Sequence, residues 1–423
     1  MAPALVGDGR LAADGLADGR LAADGLDGAD PALLSCRSRP VLCAAMFERF
    51  VATELTDREK ALQRDVRAFV EVEAPPGSYE PGFGMSSGAS REFSRKLGER
   101  GWLGMALPAA YGGGDRSAVE RLVVVEELLR RGLPLEHHWT ADRQSGPVIN
   151  RFGAEAQKQR FLPAICRGEL CFAIGMSEPD AGSDLAGVKC RATRVAGGWE
   201  LQGTKIWTSN AHICDWAIVL CRTGDAEDRH DGLSQLIVDM RSSGVTISPI
   251  PFLDGTADFN EVSFESVFVP DDLLLGQEGQ GWAQVTSELS FERAGPERWL
   301  SPYLVVEQFL HEYGSSLGDE AVAFLGASVA RWWGIRQISL AVARMIDEGR
   351  APGLQSAIGK DLGTRFEQDV MAKIQTLVEL EPSLGSTRPF ERLLARAVLV
   401  APSWSIRGGT NEILRTVIAK GLR

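Results

Sequence analysis

Two hydroxyls, a proline and a glycine fall close together in Ser177-Glu178-Pro179-Asp180-Ala181-Gly182-Ser183-Asp184. The preceding run, Cys171-Phe172-Ala173-Ile174-Gly175-Met176, is apolar and reads as a buried strand or its approach. The polar octet cannot continue a helix or a strand. Pro179 fixes its own φ and removes a donor. Gly182 is expected to supply a backbone turn that residues with side chains resist. Hydroxyls and free backbone N–H groups in such a loop suit a planar, hydrogen-bonding ligand that also carries phosphate. The same residues equally suit an ordinary polar loop between domains.

A second stretch, Trp199-Glu200-Leu201-Gln202-Gly203-Thr204-Lys205-Ile206-Trp207-Thr208-Ser209-Asn210, narrows the reading. Together the two stretches resemble the acyl-CoA dehydrogenase family of flavoproteins, and the resemblance runs from about Met46 to Arg423. It implies FAD as the cofactor and an acyl-CoA thioester as the substrate. By the same resemblance Ile174, Met176, Ser177, Gly182 and Ser183 line the flavin, and Ser183 also reaches the thioester. Trp207, Thr208 and Ser209 pack against the flavin.

Such chemistry has three requirements. A weakly acidic proton beside a thioester carbonyl must leave, the developing enolate must be stabilised, and a hydride must pass from the β-carbon to the flavin. The redox work belongs to the cofactor; the protein supplies position and electrostatics. A carboxylate serves as the base if a dry pocket raises its pKa towards the working pH. Many family members carry that base near the C-terminus, directly before a Gly-Thr. Here the segment is Ile406-Arg407-Gly408-Gly409-Thr410-Asn411-Glu412-Ile413, and Gly408 holds the base's place. A minority carry the base on the first long helix of the C-terminal domain, directly before an arginine. This chain has Ser290-Phe291-Glu292-Arg293 there. The resemblance therefore implies Glu292 as the base, with Arg293 positioning the thioester ligand. The plainer reading of these two residues is a solvated Glu-Arg pair on a helix.

Gly409-Thr410 opens a final helix, Asn411–Lys420, whose free N–H groups and dipole favour an anion. Thr410 also reads simply as an N-cap. By resemblance Thr410, Asn411 and Glu412 approach the cofactor and Gly409 the substrate. A second departure concerns partners. Homotetrameric members carry an Arg-rich, Phe-Gly-containing motif early in the bundle, where it reaches a neighbour's cofactor. Here that region is His311-Glu312-Tyr313-Gly314-Ser315-Ser316-Leu317-Gly318-Asp319-Glu320. The Gly-rich segment expected later is also missing around Glu379–Ser386. This pattern resembles a bacterial subgroup that pairs unlike subunits, with one flavin per heterodimer, often on bulky steroid- or polyketide-like acyl-CoA. Dimers and tetramers, of like or unlike subunits, all remain open. The family also implies an electron-transferring flavoprotein as acceptor.

The elements that must position these residues follow from pattern. Thr56-Asp57-Arg58-Glu59 is a capping box, and Leu62, Val66, Phe69 and Val70 follow at helical spacing. Ala74-Pro75-Pro76-Gly77 ends that helix. Arg91–Arg100 reads as a helix stopped at Gly101, and Ser117–Arg131 as one capped by Gly132. Gly101–Gly104 and Pro108–Gly114 resemble the family's loop after that helix, and Gly153–Pro163 completes the helical part. Lys189–Arg194, Trp199–Gly203, Trp216–Arg222, Leu233–Asp239, Val245–Ile250 and Asn260–Val267 are short β-like runs, suggesting a small antiparallel barrel. Gly281–Leu289, Val305–Tyr313, Asp319–Glu348, Gln355–Leu380 and Pro389–Val400 are helical again. The expected fold is mainly α with a β-barrel middle domain: residues 46–168 helical, 169–275 barrel and 276–423 a four-helix bundle.

Composition excludes several classes of function. The chain of 423 residues is 44% hydrophobic and 24% charged, ordinary for a soluble protein of two or three domains. A net charge of -12 argues against nucleic acid and weakly against an anionic membrane surface. No apolar run approaches membrane-spanning length. Seven cysteines without a C-x-x-C read as reduced thiols in a cytoplasmic protein. No H-E-x-x-H occurs, so a metal site has no support. Asp8–Leu16 recurs unchanged at Asp18–Leu26, in a Gly-, Ala- and Asp-rich segment, 1–45, expected to be disordered. Translation from Met46 is the corresponding expectation. Gly84–Gly88 and Gly314–Gly318 match the G-x-S-x-G of serine hydrolases but lack the strand-to-helix context that elbow needs. The expected fold also accommodates a non-catalytic partner subunit, or a flavin enzyme that uses oxygen as acceptor.

Overall fold

A computed structural model describes residues 53–84, 87–225, 228–292, 295–378 and 380–422, with only the backbone described for 287–292. The repeat-bearing segment and Met46 lie outside the described residues.

The first part is helical: α1 (Asp57–Glu73), α2 (Arg91–Glu99), α3 (Ala118–Leu129), α4 (Glu136–Thr140), α5 (Gly146–Phe152) and α6 (Glu155–Cys166). The capping box forms as expected. Glu59 N–H donates to Thr56 Oγ1 at 3.3 Å, and Thr56 N–H donates to Glu59 Oε2 at 2.8 Å. Leu62, Val66 and Val70 then fall on one buried face. Between α4 and α5 the chain makes a π-helical turn, Ala141–Ser145. Such turns re-aim side chains, often at functional sites.

The middle part is one sheet: β1 (Phe172–Gly175), β2 (Arg191–Val195), β3 (Gly198–Ser209), β4 (Trp216–Arg222), β5 (Leu233–Asp239), β6 (Val245–Ile250), β7 (Phe259–Pro270) and β8 (Leu274–Leu275). Its path is β6-β7-β3-β2-β4-β5-β8, with β1 off this path beside β4. Here the barrel expectation is corrected. The sheet does not close, because β6 and β8 do not pair. Nor is it wholly antiparallel: β1 and β2 both run parallel to β4, one against each end. β6 alternates half-buried and exposed residues, the pattern of a one-sided edge strand.

The last part holds α7 (Gly281–Glu292), α8 (Tyr303–Tyr313), α9 (Asp319–Asp347), α10 (Gly353–Leu377), α11 (Pro389–Trp404) and α12 (Asn411–Gly421). Helices from both ends of the chain share one apolar core. Phe93, Leu97 and Trp102 pack in the same cluster as Trp299, Phe366, Phe390 and Trp404. The sheet has its own core around Phe161, Phe172, Trp199 and Phe264. Among the described residues no helix is long and apolar enough to cross a membrane.

Candidate active site

β3 carries the expected flavin-facing residues Trp207, Thr208 and Ser209, and its local register decides which way their side chains turn. Trp199, Leu201 and Lys205 share the buried parity of the strand. Between Lys205 and Thr208 the pairing with β7 slips, and Trp207 adopts φ 58°, a backbone that residues other than glycine seldom adopt. The bulge reverses the parity. Trp207 turns outward and is 54% exposed, while Thr208 turns in and is 1% exposed. Thr208 Oγ1 is buried and finds no hydrogen-bond partner among the described residues. Ser209 is half-buried. An outward-held indole beside an unsatisfied buried hydroxyl is the kind of surface a planar, polar ring system completes. These residues fit a flavin.

The first stretch meets this wall. Ile206 N–H donates to the Ser177 carbonyl at 2.9 Å, and Lys205 Nζ donates to the Met176 carbonyl at 2.9 Å. Lys205 also pairs with Glu178 at 2.8 Å, both side chains being buried. Glu178 in turn accepts the N–H groups of Lys189 (2.7 Å) and Cys190 (2.8 Å). Ile174 lies on β1 and Met176 packs in a small apolar cluster with Ala181 and Val188. Gly182 and Ser183 are exposed. The special role expected of Gly182 is corrected: it has no left-handed φ, and an added Cβ would meet nothing within 4 Å. The turn is closed instead by reciprocal backbone bonds between Glu178 and Ala181, at 2.9 and 3.1 Å.

Beyond Ser209, Asn210 again takes a left-handed φ of 56° and donates its N–H to the Asp258 carbonyl at 2.7 Å. Glu136, opening α4, faces this corner. Its Oε1 accepts the N–H groups of Ser87 (2.7 Å) and Gly88 (3.0 Å). Burial, then the charge of Asp258, pushes the Glu136 carboxyl up to about 8. Because the unfolded chain loses this proton near 4.5, the folded state is favoured most below that pH, and the advantage disappears as pH rises through about 8. Glu136→Gln keeps an acceptor for both N–H groups. It is expected to flatten the fall in Tm across that window, and an unchanged slope would assign the pH dependence to another group.

The C-terminal residues gather round a different centre. Thr410 caps α12 by accepting Ile413 N–H at 3.4 Å. Asn411 is buried, and its Oδ1 accepts from Lys360 Nζ (2.7 Å) and Thr364 Oγ1 (3.0 Å). Lys360 also donates to the carbonyls of Ser405 and Gly409, each at 2.8 Å. Burial, with Arg298 and Arg407 nearby, brings Lys360 down to about 7. Glu412 is exposed. Among the described residues no hydrogen bond or ion pair joins Thr410, Asn411 or Glu412 to either flavin-like stretch.

Beneath this turn lies a buried charge cluster that sequence reasoning missed. Arg143, from the π turn, and Arg298 both pair with Glu297. Arg407 donates to Ser301 Oγ (2.8 Å) and to the Glu297 carbonyl (2.9 Å), and faces Glu367 at 3.6 Å. Although burial pushes Glu297 up, Arg143 and Arg298 hold it below the usual carboxylate range. Gly408 has φ 69°, and a Cβ there would stand 2.6 Å from Arg298 Nη2. The guanidinium thus fills the space that a side chain at 408 would enter.

Glu292 is the last residue of α7, a helix that packs against β5 and α10. Its side chain, and all of Arg293, lie outside the described residues. Of the missed residues, Lys205 was legible as a cation on the buried parity of a strand. Glu136, Arg298 and Glu367 carried no such signal.

Residues 56–169 match the family model "Acyl-CoA dehydrogenase, N-terminal domain". Residues 173–267 match "Acyl-CoA dehydrogenase, middle domain". The acyl-CoA dehydrogenase FadE34 of Mycobacterium tuberculosis is 32% identical over 330 residues, 77% of this chain; the chain spans only 45% of that relative. The acyl-CoA dehydrogenase IpdE1 of the same organism is 33% identical over 341 residues, 78% of this chain and 86% of the relative. The solved structure of the "Tcur3481-Tcur3483 steroid ACAD" matches with a TM-score of 0.77 at 26% identity, over 87% of this chain and 97% of that one. The chain belongs to the acyl-CoA dehydrogenase family, whose members are flavoprotein oxidoreductases.

Proposed function

We propose that the protein catalyses FAD-dependent α,β-dehydrogenation of an acyl-CoA thioester, with Glu292 removing the α-proton. The observation that carries this reading is the joined wall of Met176, Ser177 and Trp207–Ser209, cross-braced by Lys205. Ile174, Met176, Ser177, Gly182, Ser183, Trp207, Thr208 and Ser209 would hold the isoalloxazine end of FAD, with Thr410, Asn411 and Glu412 approaching it from α12. Bound FAD supplies the acceptor for hydride from the β-carbon. Ser183, Arg293 and Gly409 would position the thioester, so that Glu292 reaches the α-carbon from the end of α7. The same reading keeps the three divisions at 46–168, 169–275 and 276–423, a cytoplasmic location, and an electron-transferring flavoprotein as acceptor.

Visible absorption of the purified protein tests this directly. A flavin spectrum, of the chain alone or of its complex with a partner subunit, that an acyl-CoA bleaches under anaerobic conditions is the expected result. Bound flavin that no acyl-CoA bleaches would overturn the dehydrogenase assignment. Reaction with oxygen as fast as with a flavoprotein acceptor would favour an oxidase instead.

A second reading concerns assembly. Val322, Val329 and Trp333 lie exposed along one stripe of α9, at spacings of seven and four residues. Such a stripe is normally covered by a partner. The similar steroid ACAD carries a paired name, and this chain lacks the Arg-rich motif of homotetramers. We therefore favour pairing with an unlike subunit and a bulky acyl group. A protein that stays colourless when FAD is added, and gains flavin only with a partner chain, is the expected signature. A homotetramer with one flavin per chain contradicts it.

The absent C-terminal carboxylate has a testable corollary. Gly408→Glu placed in a Glu292→Gln background is expected to recover no flavin reduction, because the new side chain meets Arg298 and pairs with it. The left-handed backbone adds about 1–2 kcal/mol of strain for any side chain, so Gly408→Ala should also lower Tm. Recovery of reduction in the double variant would show that Arg298 yields.

A further inference from the structure

Cys171 and Cys214 take no part in the proposed dehydrogenation, yet they are placed with unusual care. Cys171 directly precedes β1 and Cys214 lies just ahead of β4. Those strands pair in parallel with Phe172 opposite Trp216, so the two cysteines stand side by side at the roots of adjacent strands. Asp215 clamps them. Its Oδ2 accepts Cys171 N–H at 3.0 Å, and its own N–H donates to the Cys171 carbonyl at 3.0 Å. The two sulfurs are 2.9 Å apart and both residues are buried. His137 lies beside Cys171, and its Nε2 is buried with no hydrogen-bond partner among the described residues.

The electrostatics divide the pair. The hydrogen bond from Cys214 holds the Cys171 thiol below its ordinary range; burial opposes this and His137 adds to it. Burial, and then Cys171 itself, pushes Cys214 well above. One sulfur is thereby the nucleophile and the other holds the proton. Burial pushes the thiols of Cys166, Cys190 and Cys221 up, which leaves them inert.

We propose that Cys171 and Cys214 form an oxidisable dithiol that hydrogen peroxide closes to a disulfide. The closure ties the residue that enters β1, the strand leading to the 176–184 loop, to the segment that leads from the Trp207–Asn210 corner into β4. The Cys171 thiolate attacks one peroxide oxygen, the O–O bond breaks, and the departing hydroxide takes up a proton as water. This leaves a sulfenic acid on Cys171. The Cys214 sulfur attacks that sulfenic sulfur, the S–O bond breaks, and the hydroxyl leaves with the Cys214 proton as a second water. Two thiols are oxidised and one peroxide is reduced to two waters. A disulfide needs its sulfurs at about 2 Å, so the closing motion is under about 1 Å. The proposal is independent of the identity of the catalytic base.

The test is peroxide treatment of the FAD-loaded full-length protein, followed by denaturation, alkylation and non-reducing peptide mapping. Cys214 and Cys221 share the tryptic peptide 206–222, so fragmentation must separate them. The expected result is a link between Cys171 and Cys214, loss of two of the seven thiols, and full recovery with dithiothreitol. In Cys214→Ala, dimedone should trap the sulfenic acid on Cys171, which the wild type should not show. Should that variant fail to fold, the wild-type map decides alone. Both cysteines still alkylated at peroxide doses that oxidise the protein's methionines, or a link to Cys221 instead, would overturn the proposal.

Discussion

Glu292→Gln is expected to bind FAD as the wild type does and to lose flavin reduction by acyl-CoA about 10²–10⁴-fold, the range that a positioned general base contributes. The amide keeps the size of the side chain and removes only its ability to take a proton. Anaerobic stopped-flow absorbance separates the two effects, because the oxidised flavin band reports occupancy and its decay reports chemistry. Near-normal decay would sink the assignment, and Glu136, whose buried carboxyl is pushed up to about 8, would be the next base to test. Glu297 is bound into the pairs with Arg143 and Arg298 that hold it ionised, a poor state from which to abstract and keep a proton. Glu367 is fully buried against Arg407 and Ser301.

Lys205→Met carries the largest expected cost to stability. The substitution leaves the Glu178 carboxylate buried with two backbone N–H donors and no cation. Breaking a buried ion pair from one side typically costs about 3–5 kcal/mol. It also frees the Met176 carbonyl that Lys205 braces, so flavin affinity should fall together with stability. The double variant Lys205→Met with Glu178→Gln removes both charges and is expected to regain much of the loss, since the stranded charge is the main penalty. Denaturant unfolding of the wild type, Lys205→Met, Glu178→Gln and the double variant decides the matter. A single variant within about 1 kcal/mol of wild type, the usual range of an exposed pair, would show that the bridge is worth no more than one on the surface.

Much of the fold was legible because the strands announce themselves as short runs between turn residues, continuous and buried in β4 and β5, alternating in β6. Trp216–Arg222, Leu233–Asp239 and Val245–Ile250 begin and end where their patterns do. The helix at Asp57 was legible from a local device, its capping box, and Gly101 and Gly132 take the left-handed φ that stops a helix. What failed was non-local. Whether β1 runs with or against β4 depends on where the preceding helices deliver the chain, which no residue near Cys171 encodes. The bulge at Trp207 carries no glycine or proline to mark it, so its reversal of parity was invisible. Arg298 and Arg407 fall between the expected helices, where nothing in the sequence marks an arginine as buried. Both are buried among distant segments: Arg298 pairs with its neighbour Glu297, which Arg143 also reaches from the π turn, and Arg407 faces Glu367 of α10. Gly182 shows the opposite error, a glycine credited with a conformation that it does not adopt.

The contact between Gly408 and Arg298 bears on how such a site can change over generations. A glycine codon lies one base change from a glutamate codon, so the genetic step back to a C-terminal carboxylate is short. The Arg298 guanidinium stands where the new side chain would go and would pair with its carboxylate, and Arg298 is itself held by Glu297 and by the Arg407 carbonyl. Freeing such a carboxylate to act as a base therefore needs a second change, at the arginine, which leaves Glu297 with less of its counter-charge. A C-terminal base is thus two coupled changes away, at 408 and at 298, neither of which serves without the other.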